Sequence, residues 1–159
     1  MSLISIFCGS PRSEGRTQCF ATGLFEEQIA MNPECEVSLI SIADMDISGC
    51  IGCEGCRETF ECVINDDMQE LIDYFRDTDE IFIACPIYMA GVPAQFKAVL
   101  DRLQPLYWED VRHGELKPAH VHLFGEGHDP YGSKGAEASI RSALHVAGFE
   151  VKDVKLHIN

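Results

Sequence analysis

Along the chain, short apolar runs alternate with stripes of helical period. Leu3-Ile4-Ser5-Ile6-Phe7-Cys8 has the length and continuity of a strand buried on both faces. Phe20, Leu24, Phe25 and Ile29 then recur at the spacing of one helix face over residues 16–30. Val37 to Ile40 reads as a second strand. Met68, Leu71, Ile72 and Phe75 mark a helix, with Asn65 or Asp66 placed to cap it. Ile81 to Cys85 is a third strand. The stripe Phe96, Val99, Leu100 and Leu103 follows, with Pro93 suited to a first helical turn. His120 to Phe124 is a fourth strand. Ala136, Ile140, Ala143, Leu144 and Ala147 make another helix, stopped by Gly148. Residues 151–157 form the last strand, with Val151, Val154 and Leu156 as its clearest apolar positions.

This alternation predicts one α/β domain over residues 1–159, a parallel sheet covered by helices on both faces. The last strand is followed by no helical stripe, so one face of the sheet is expected to be short or covered by a partner subunit. Such sheets bind ligands beyond the carboxyl ends of their strands, near a switch in strand order. Three loops meet there: residues 9–18, 86–92 and 125–133.

The first loop, Gly9 to Gln18, lies between a buried strand and a helix start. Helix N-termini offer unpaired backbone N–H groups and partial positive charge, which suit a phosphate. Ser10, Ser13 and Thr17 add hydroxyls, and Arg12 and Arg16 add charge. The loop lacks the G-x4-G-K-[ST] of nucleotide hydrolases and the G-x-G-x-x-G of dinucleotide folds. Nor is it a C-x5-R phosphatase loop, because Glu14 stands where the arginine is needed. The second loop, Pro86-Ile87-Tyr88-Met89-Ala90-Gly91, offers an apolar wall with an aromatic ring for a flat ligand, and Gly91 permits close backbone approach. The third, from Gly125-Glu126-Gly127 onward, exposes backbone amides and carbonyls that suit the polar edge of a ring.

Charge narrows the partners. The chain of 159 residues carries a formal net charge of −14, which disfavours nucleic acid and anionic membranes. No apolar stretch approaches the roughly 20 residues of a membrane span. The start lacks the cationic and apolar regions of a signal peptide. A cytoplasmic setting is therefore expected, where thiols stay reduced and eight cysteines point to metal, redox or burial rather than disulfides.

Four of the eight, Cys50, Cys53, Cys56 and Cys62, form C-x2-C-x2-C-x5-C after the second strand. This compact spacing brings thiolates onto one inorganic core. Gly49, Gly52 and Gly55 relieve crowding, while Glu54, Glu58 and Glu61 oppose an anionic group. Three readings fit: an inorganic cluster, a zinc ion, or a metal-free loop lining the ligand or a dimer contact. Cys8, Cys19, Cys35 and Cys85 are expected to be small core residues. His120 and His122 share a strand face without a zinc motif, and Lys97 and Asp101 are spaced as a helix-surface ion pair. Tyr107 and Trp108 are expected at a sheet edge or subunit contact, Trp108 also as a shield over the ligand pocket.

The ordered motifs Gly9-Ser10-Pro11-Arg12 with Gly15 and Thr17, Asp66-Asp67-Met68, Pro86-Ile87-Tyr88, Lys97 and Asp101-Arg102 resemble the flavodoxin-like NAD(P)H-dependent FMN reductases. The resemblance covers nearly the whole chain. It implies a three-layer sandwich with a five-stranded parallel sheet of order 2-1-3-4-5, and it implies FMN as cofactor with NAD(P)H as cosubstrate. By resemblance, Ser10, Arg12, Arg16, Thr17 and Gln18 contact the FMN phosphate. Pro86, Ile87, Tyr88, Met89 and Gly91 lie along the ring, and Gly125, Glu126 and Gly127 lie at its pyrimidine side. The expected activity is electron transfer from the nicotinamide to a small quinone, azo, nitro or flavin acceptor in a homodimer or homotetramer, with no side-chain catalyst because the flavin carries the chemistry. The four-cysteine spacing resembles the related iron–sulfur flavoproteins, whose implied alternative is an electron carrier holding FMN and a 4Fe–4S cluster.

Overall fold

The computed structural model describes residues 1–159. Strands β1 (Leu3–Cys8), β2 (Glu36–Ser41), β3 (Glu80–Pro86), β4 (Lys117–Gly125) and β5 (Phe149–Ile158) form one sheet of order β2-β1-β3-β4-β5, with every pairing parallel. The expected architecture and order are both present. The strand order reverses between β1 and β3, and this opens the ligand-binding crevice at their carboxyl ends.

The two faces are covered unequally. Helix α1 (Arg16–Met31) packs on one face, where Ala21 and Leu24 meet Ile6, Cys8, Ala84 and Phe124. Helices α3 (Met68–Asp77), α4 (Ala94–Asp101), α5 (Gln104–Glu109) and α6 (Lys134–Val146) build the larger core on the other face; a single turn, α2 (Cys56–Thr59), lies in the cysteine loop. Phe7, Phe75 and Phe149 meet in the larger core, with ring centroids 4.7 and 6.4 Å apart in sequence. Burying each such ring stabilises the fold by about 1.5–3 kcal/mol.

On the α1 face, the β4–β5 half carries histidines. A bulge at Ala119/His120 gives β5 an extra residue, Lys152, and sets Asp153 opposite His120. His120 then lies between two carboxylates, Asp153 Oδ2 at 2.6 Å from Nδ1 and Glu80 Oε1 at 3.0 Å from Nε2. His122 Nδ1 and His157 Nε2 are 3.0 Å apart, and Phe20 reaches over both rings. Burial depresses His122 to about 4 and also lowers His157, so the pair is neutral at pH 7, one ring donating to the other.

Several local expectations change. Ile29 is about half exposed, because Thr17, Ala21 and Leu24 take the inner face of α1. Pro93 is the residue before α4 rather than in its first turn. The stripe ending at Leu103 is two helices, broken at Arg102 and Leu103. Cys8 and Cys85 are buried as expected, whereas Cys19 lies exposed on α1 and Cys35 half-buried before β2. Lys97 Nζ and Asp101 Oδ1 do form the surface ion pair, at 2.6 Å.

Candidate functional site

The three rim loops come together. Gly9 N–H donates to Ala84 O at 2.8 Å, which carries the β1–β3 pairing one step into the first loop. A Cβ on Gly9 would fall 2.7 Å from the Phe96 ring, so only glycine lets the loop leave the strand against α4. Ser10 and Thr17 are buried, and Ser10 Oγ accepts from Arg12 N–H at 3.2 Å. Helix α1 begins without a side-chain cap and without an acidic residue in its first turn. Its N-terminal N–H groups therefore remain available to an anion.

Ser10, Arg12, Arg16 and Thr17 line a pocket of about 230 Å³ with Pro86, Ile87, Tyr88, Phe124, Gly125 and Glu126. A second pocket of about 270 Å³ shares Ile87, Gly125 and Glu126 and continues past Met89 and Gly127. The two are neighbours across Ile87, Gly125 and Glu126, the first beside the arginines at the start of α1 and the second beside Met89.

The two arginines of the first loop have different situations. Arg12 enters none of the salt bridges. Arg16 donates to Gly125 O at 3.2 Å, His157 O at 3.1 Å and Asn159 Oδ1, and lies over the Phe124 ring at 5.4 Å. It ties the first loop to the ends of β4 and β5. Gln18 Oε1 is buried and accepts no hydrogen bond from the chain.

The second loop is a tight hairpin. Tyr88 and Gly91 exchange backbone bonds of 2.8 and 2.9 Å, and Met89 and Ala90 between them have φ of +50° and +61°. Two consecutive non-glycine residues in the left-handed region store strain that the surroundings must hold. The N-terminus of α6 holds it: Ala136 N–H donates to Ala90 O at 2.9 Å. A Cβ on Gly135 would lie 2.6 Å from that same carbonyl. Met89 is thereby held 97% exposed at the second pocket. Neither the hairpin nor its support by Gly135 was read from the sequence, because the donors come from a helix more than forty residues away.

Cys50, Cys53, Cys56 and Cys62 all line a separate cavity of about 250 Å³ with Ile64, Arg102, Gln104, Pro105 and Trp108. Burial raises the Cys56 thiol, and the nearby sulfurs of Cys62, Cys50 and Cys53 raise it further. No three of these side chains close on a point that would seat a single metal ion. Trp108 belongs to this cavity and not to the rim pockets, contrary to the shielding role expected for it.

Arg102 organises the loop that carries the cysteines. Its guanidinium bonds Asp66 twice, donates to Ser48 O at 2.8 Å before the cysteines and to Ile64 O at 3.4 Å after them. Asp66 also accepts from Ser48 N–H and from Met68 N–H, while the N-cap position of α3 itself falls at Asp67, one residue past the expected Asn65 or Asp66. The Arg102 guanidinium lowers the Asp66 carboxyl below the ordinary aspartate range. Arg76 adds a second tie, donating to Phe60 O at 2.6 Å while paired with Glu109 and Asp73.

A reversing parallel sheet with an uncapped helix start at its crevice defines a flavodoxin-like protein, a class built to hold a phosphate-bearing ligand at that rim. The chain belongs to the NADPH-dependent FMN reductase family, whose model matches residues 2–157. It is similar to an iron–sulfur flavoprotein of Methanocaldococcus jannaschii, 40% identical over 108 residues, covering 67% of this chain and 53% of that protein. An iron–sulfur flavoprotein of Methanosarcina thermophila is 35% identical over 94 residues, covering 59% and 48%. The chain thus spans about half the length of these curated relatives. An NADH:FMN oxidoreductase in its apo form superposes over 99% of this chain and 76% of its own, with TM-score 0.68 and 20% identity. An FMN-dependent NADH-azoreductase of Bacillus anthracis in complex with FMN covers 98% and 85%, with TM-score 0.68 and 13% identity. At those identities the structures attest the fold.

Proposed function

We propose that the rim pockets hold FMN and that the chain is an NAD(P)H-dependent flavin oxidoreductase. The observation that carries this reading is the pair of adjoining pockets that runs from the uncapped start of α1 to Tyr88, Met89 and Ala90 of the hairpin. When bound, the flavin accepts hydride from the nicotinamide and passes electrons to a small quinone, azo, nitro or flavin acceptor.

The chain's residues bind and orient. The α1 N–H groups, the Ser10 and Thr17 hydroxyls and the Arg12 guanidinium hold the phosphate. Gln18, expected at the phosphate, lines neither pocket. Pro86, Ile87, Tyr88, Met89 and Gly91 form the ring wall, and Gly125, Glu126 and Gly127 its polar edge. Arg16 acts as a strut for that edge, since Gly125 O and His157 O take its donors. The apolar wall keeps water from the face it covers.

The second reading adds a redox centre: Cys50, Cys53, Cys56 and Cys62 hold a 4Fe–4S cluster. It is supported by four thiols around one cavity and by the names of the curated relatives. Four thiolates are the donor set that such a cluster requires.

The purified chain, reconstituted anaerobically with FMN, iron and sulfide, tests both. Flavin absorption that bleaches with NADH or NADPH supports the reductase; protein that takes up no FMN, or is bleached by neither, refutes it. Iron and sulfide in equal number, about four each per chain, support the cluster. One zinc or no metal refutes it.

A further inference from the structure

Arg102, at the wall of the cysteine cavity, keeps one buried polar atom without a hydrogen-bond partner of good geometry. Arg102 is 1% exposed, and four of its five N–H donors are directed at Asp66, Ser48 O and Ile64 O. Its Nε is buried and has no hydrogen-bond partner. The side chain lines the cavity shared by the four cysteines, and Cys62 lies beside the guanidinium. A buried N–H without an acceptor is destabilising, so native chains rarely keep one without a use.

We propose that Arg102 is a positioning residue for the four-thiolate centre, its Nε–H donating to a sulfur of the group that Cys50, Cys53, Cys56 and Cys62 hold. This rests on the cluster reading above. The clamp explains why the donor is fixed: the bonds that hold the ends of the cysteine loop also lock the guanidinium, leaving one N–H in one place. It also offsets the acidic setting. Glu54 stands at the cavity, the chain carries a net charge of −14, and a cluster on four thiolates is itself anionic. A buried cation with an N–H to sulfur stabilises the more negative, reduced form and raises its potential. Arg57, over the Trp108 ring at 5.1 Å, is a more exposed cation near the same cavity and serves as the control.

The test compares cluster potentials and spectra in FMN-loaded, iron-reconstituted protein. Arg102→Lys keeps the charge and an ion pair to Asp66 but removes the Nε–H. It is expected to retain FMN and iron and to favour the oxidised cluster by about tenfold, a downward shift of about 59 mV for one electron. Arg57→Lys is expected to leave the potential unchanged. An Arg102→Lys potential equal to that of the parent overturns the proposal. Loss of the cluster by this variant reports the clamp on the cysteine loop, and the nitrogen coupling of the unmodified chain then decides. Unmodified chain labelled with heavy-isotope arginine nitrogen gives a second measurement that needs no variant. A pulsed electron-paramagnetic spectrum of its reduced cluster must show a coupled arginine nitrogen that persists in Arg57→Lys. Its absence overturns the proposal even if Arg102→Lys fails to fold. Parent protein that binds no iron defeats the cluster reading and this inference with it, whereas iron binding without the nitrogen coupling defeats only the inference.

Discussion

Arg102 and Asp66 form a two-pronged ion pair, Nη1 to Oδ2 at 2.8 Å and Nη2 to Oδ1 at 2.9 Å, with their side chains 1% and 4% exposed. The pair joins the break between α4 and α5 to the start of α3, and it gathers the two ends of the cysteine loop. Removing one partner of such a pair leaves the other charge buried and unmatched. Asp66→Ala should destabilise the chain by about 3–5 kcal/mol, read from urea midpoints at pH 7. A loss below about 1 kcal/mol would show that the pair does not hold the loop.

The same pair sets an acid limit. Asp66 titrates lower in the folded chain than its ordinary value of 3.8, so the unfolded chain binds the proton more readily. Its stabilisation is fully present above that ordinary value and is lost as pH falls through the lower folded value. Asp66→Asn should therefore be less stable than the parent at neutral pH, and the gap should narrow towards pH 3. A gap independent of pH contradicts this assignment.

His122 and His157 act at higher pH. Both are lowered, His122 to about 4 from 6.5, so the unfolded chain takes up protons first as the solution is acidified. Their contribution is whole above about 6.5 and declines as pH falls towards 4, at up to about 1.4 kcal/mol per pH unit for one group. His122→Phe should flatten the thermal-stability profile between pH 7 and 5. An unchanged slope would place the acid sensitivity elsewhere.

Two glycines on helices should respond in opposite directions to alanine. At Gly135 a Cβ meets Ala90 O at 2.6 Å, so Gly135→Ala should cost about 1–3 kcal/mol and weaken FMN binding by displacing the Tyr88–Gly91 hairpin. Gly23, inside α1 with nothing within 4 Å of its added Cβ, should gain about 0.5–1 kcal/mol as alanine. Thermal melts and FMN titrations of the two variants check both. A harmless Gly135→Ala would mean that the hairpin is not held by α6.

The arginines of the first loop separate phosphate binding from support. Arg12→Ala should weaken FMN by about ten- to a hundredfold, the worth of a charge-assisted bond, and leave riboflavin nearly unaffected. Arg16→Ala should weaken both ligands alike, since its donors hold Gly125 O and His157 O. Equal loss of FMN and riboflavin in Arg12→Ala would remove Arg12 from the phosphate site.

The amino-acid sequence by itself determined the five strands, the longer helices, the parallel sheet and the three loops that meet at the rim, while the strand order came from the family resemblance. Those features follow from periodicity and from residues adjacent in the chain, where backbone geometry maps pattern onto shape. The spacing of Cys50 to Cys62 was equally legible. Only the tertiary structure decided which partner each polar side chain meets. Arg102 reads locally as one more helix residue, yet its acceptors lie 54, 38 and 36 positions away. Arg16 reads as a phosphate ligand beside Arg12, and the ends of β4 and β5 turn it into a strut. Met89 and Ala90 carry no turn signature, because their left-handed backbone is imposed by the N-terminus of α6. Trp108 reads as a residue of a sheet edge, a subunit contact or a flavin shield, and the break after Asp101 sets it on α5 at the cysteine cavity. In each case packing between distant segments decided the outcome, since a charge or strained turn persists in a folded chain only where other elements satisfy it.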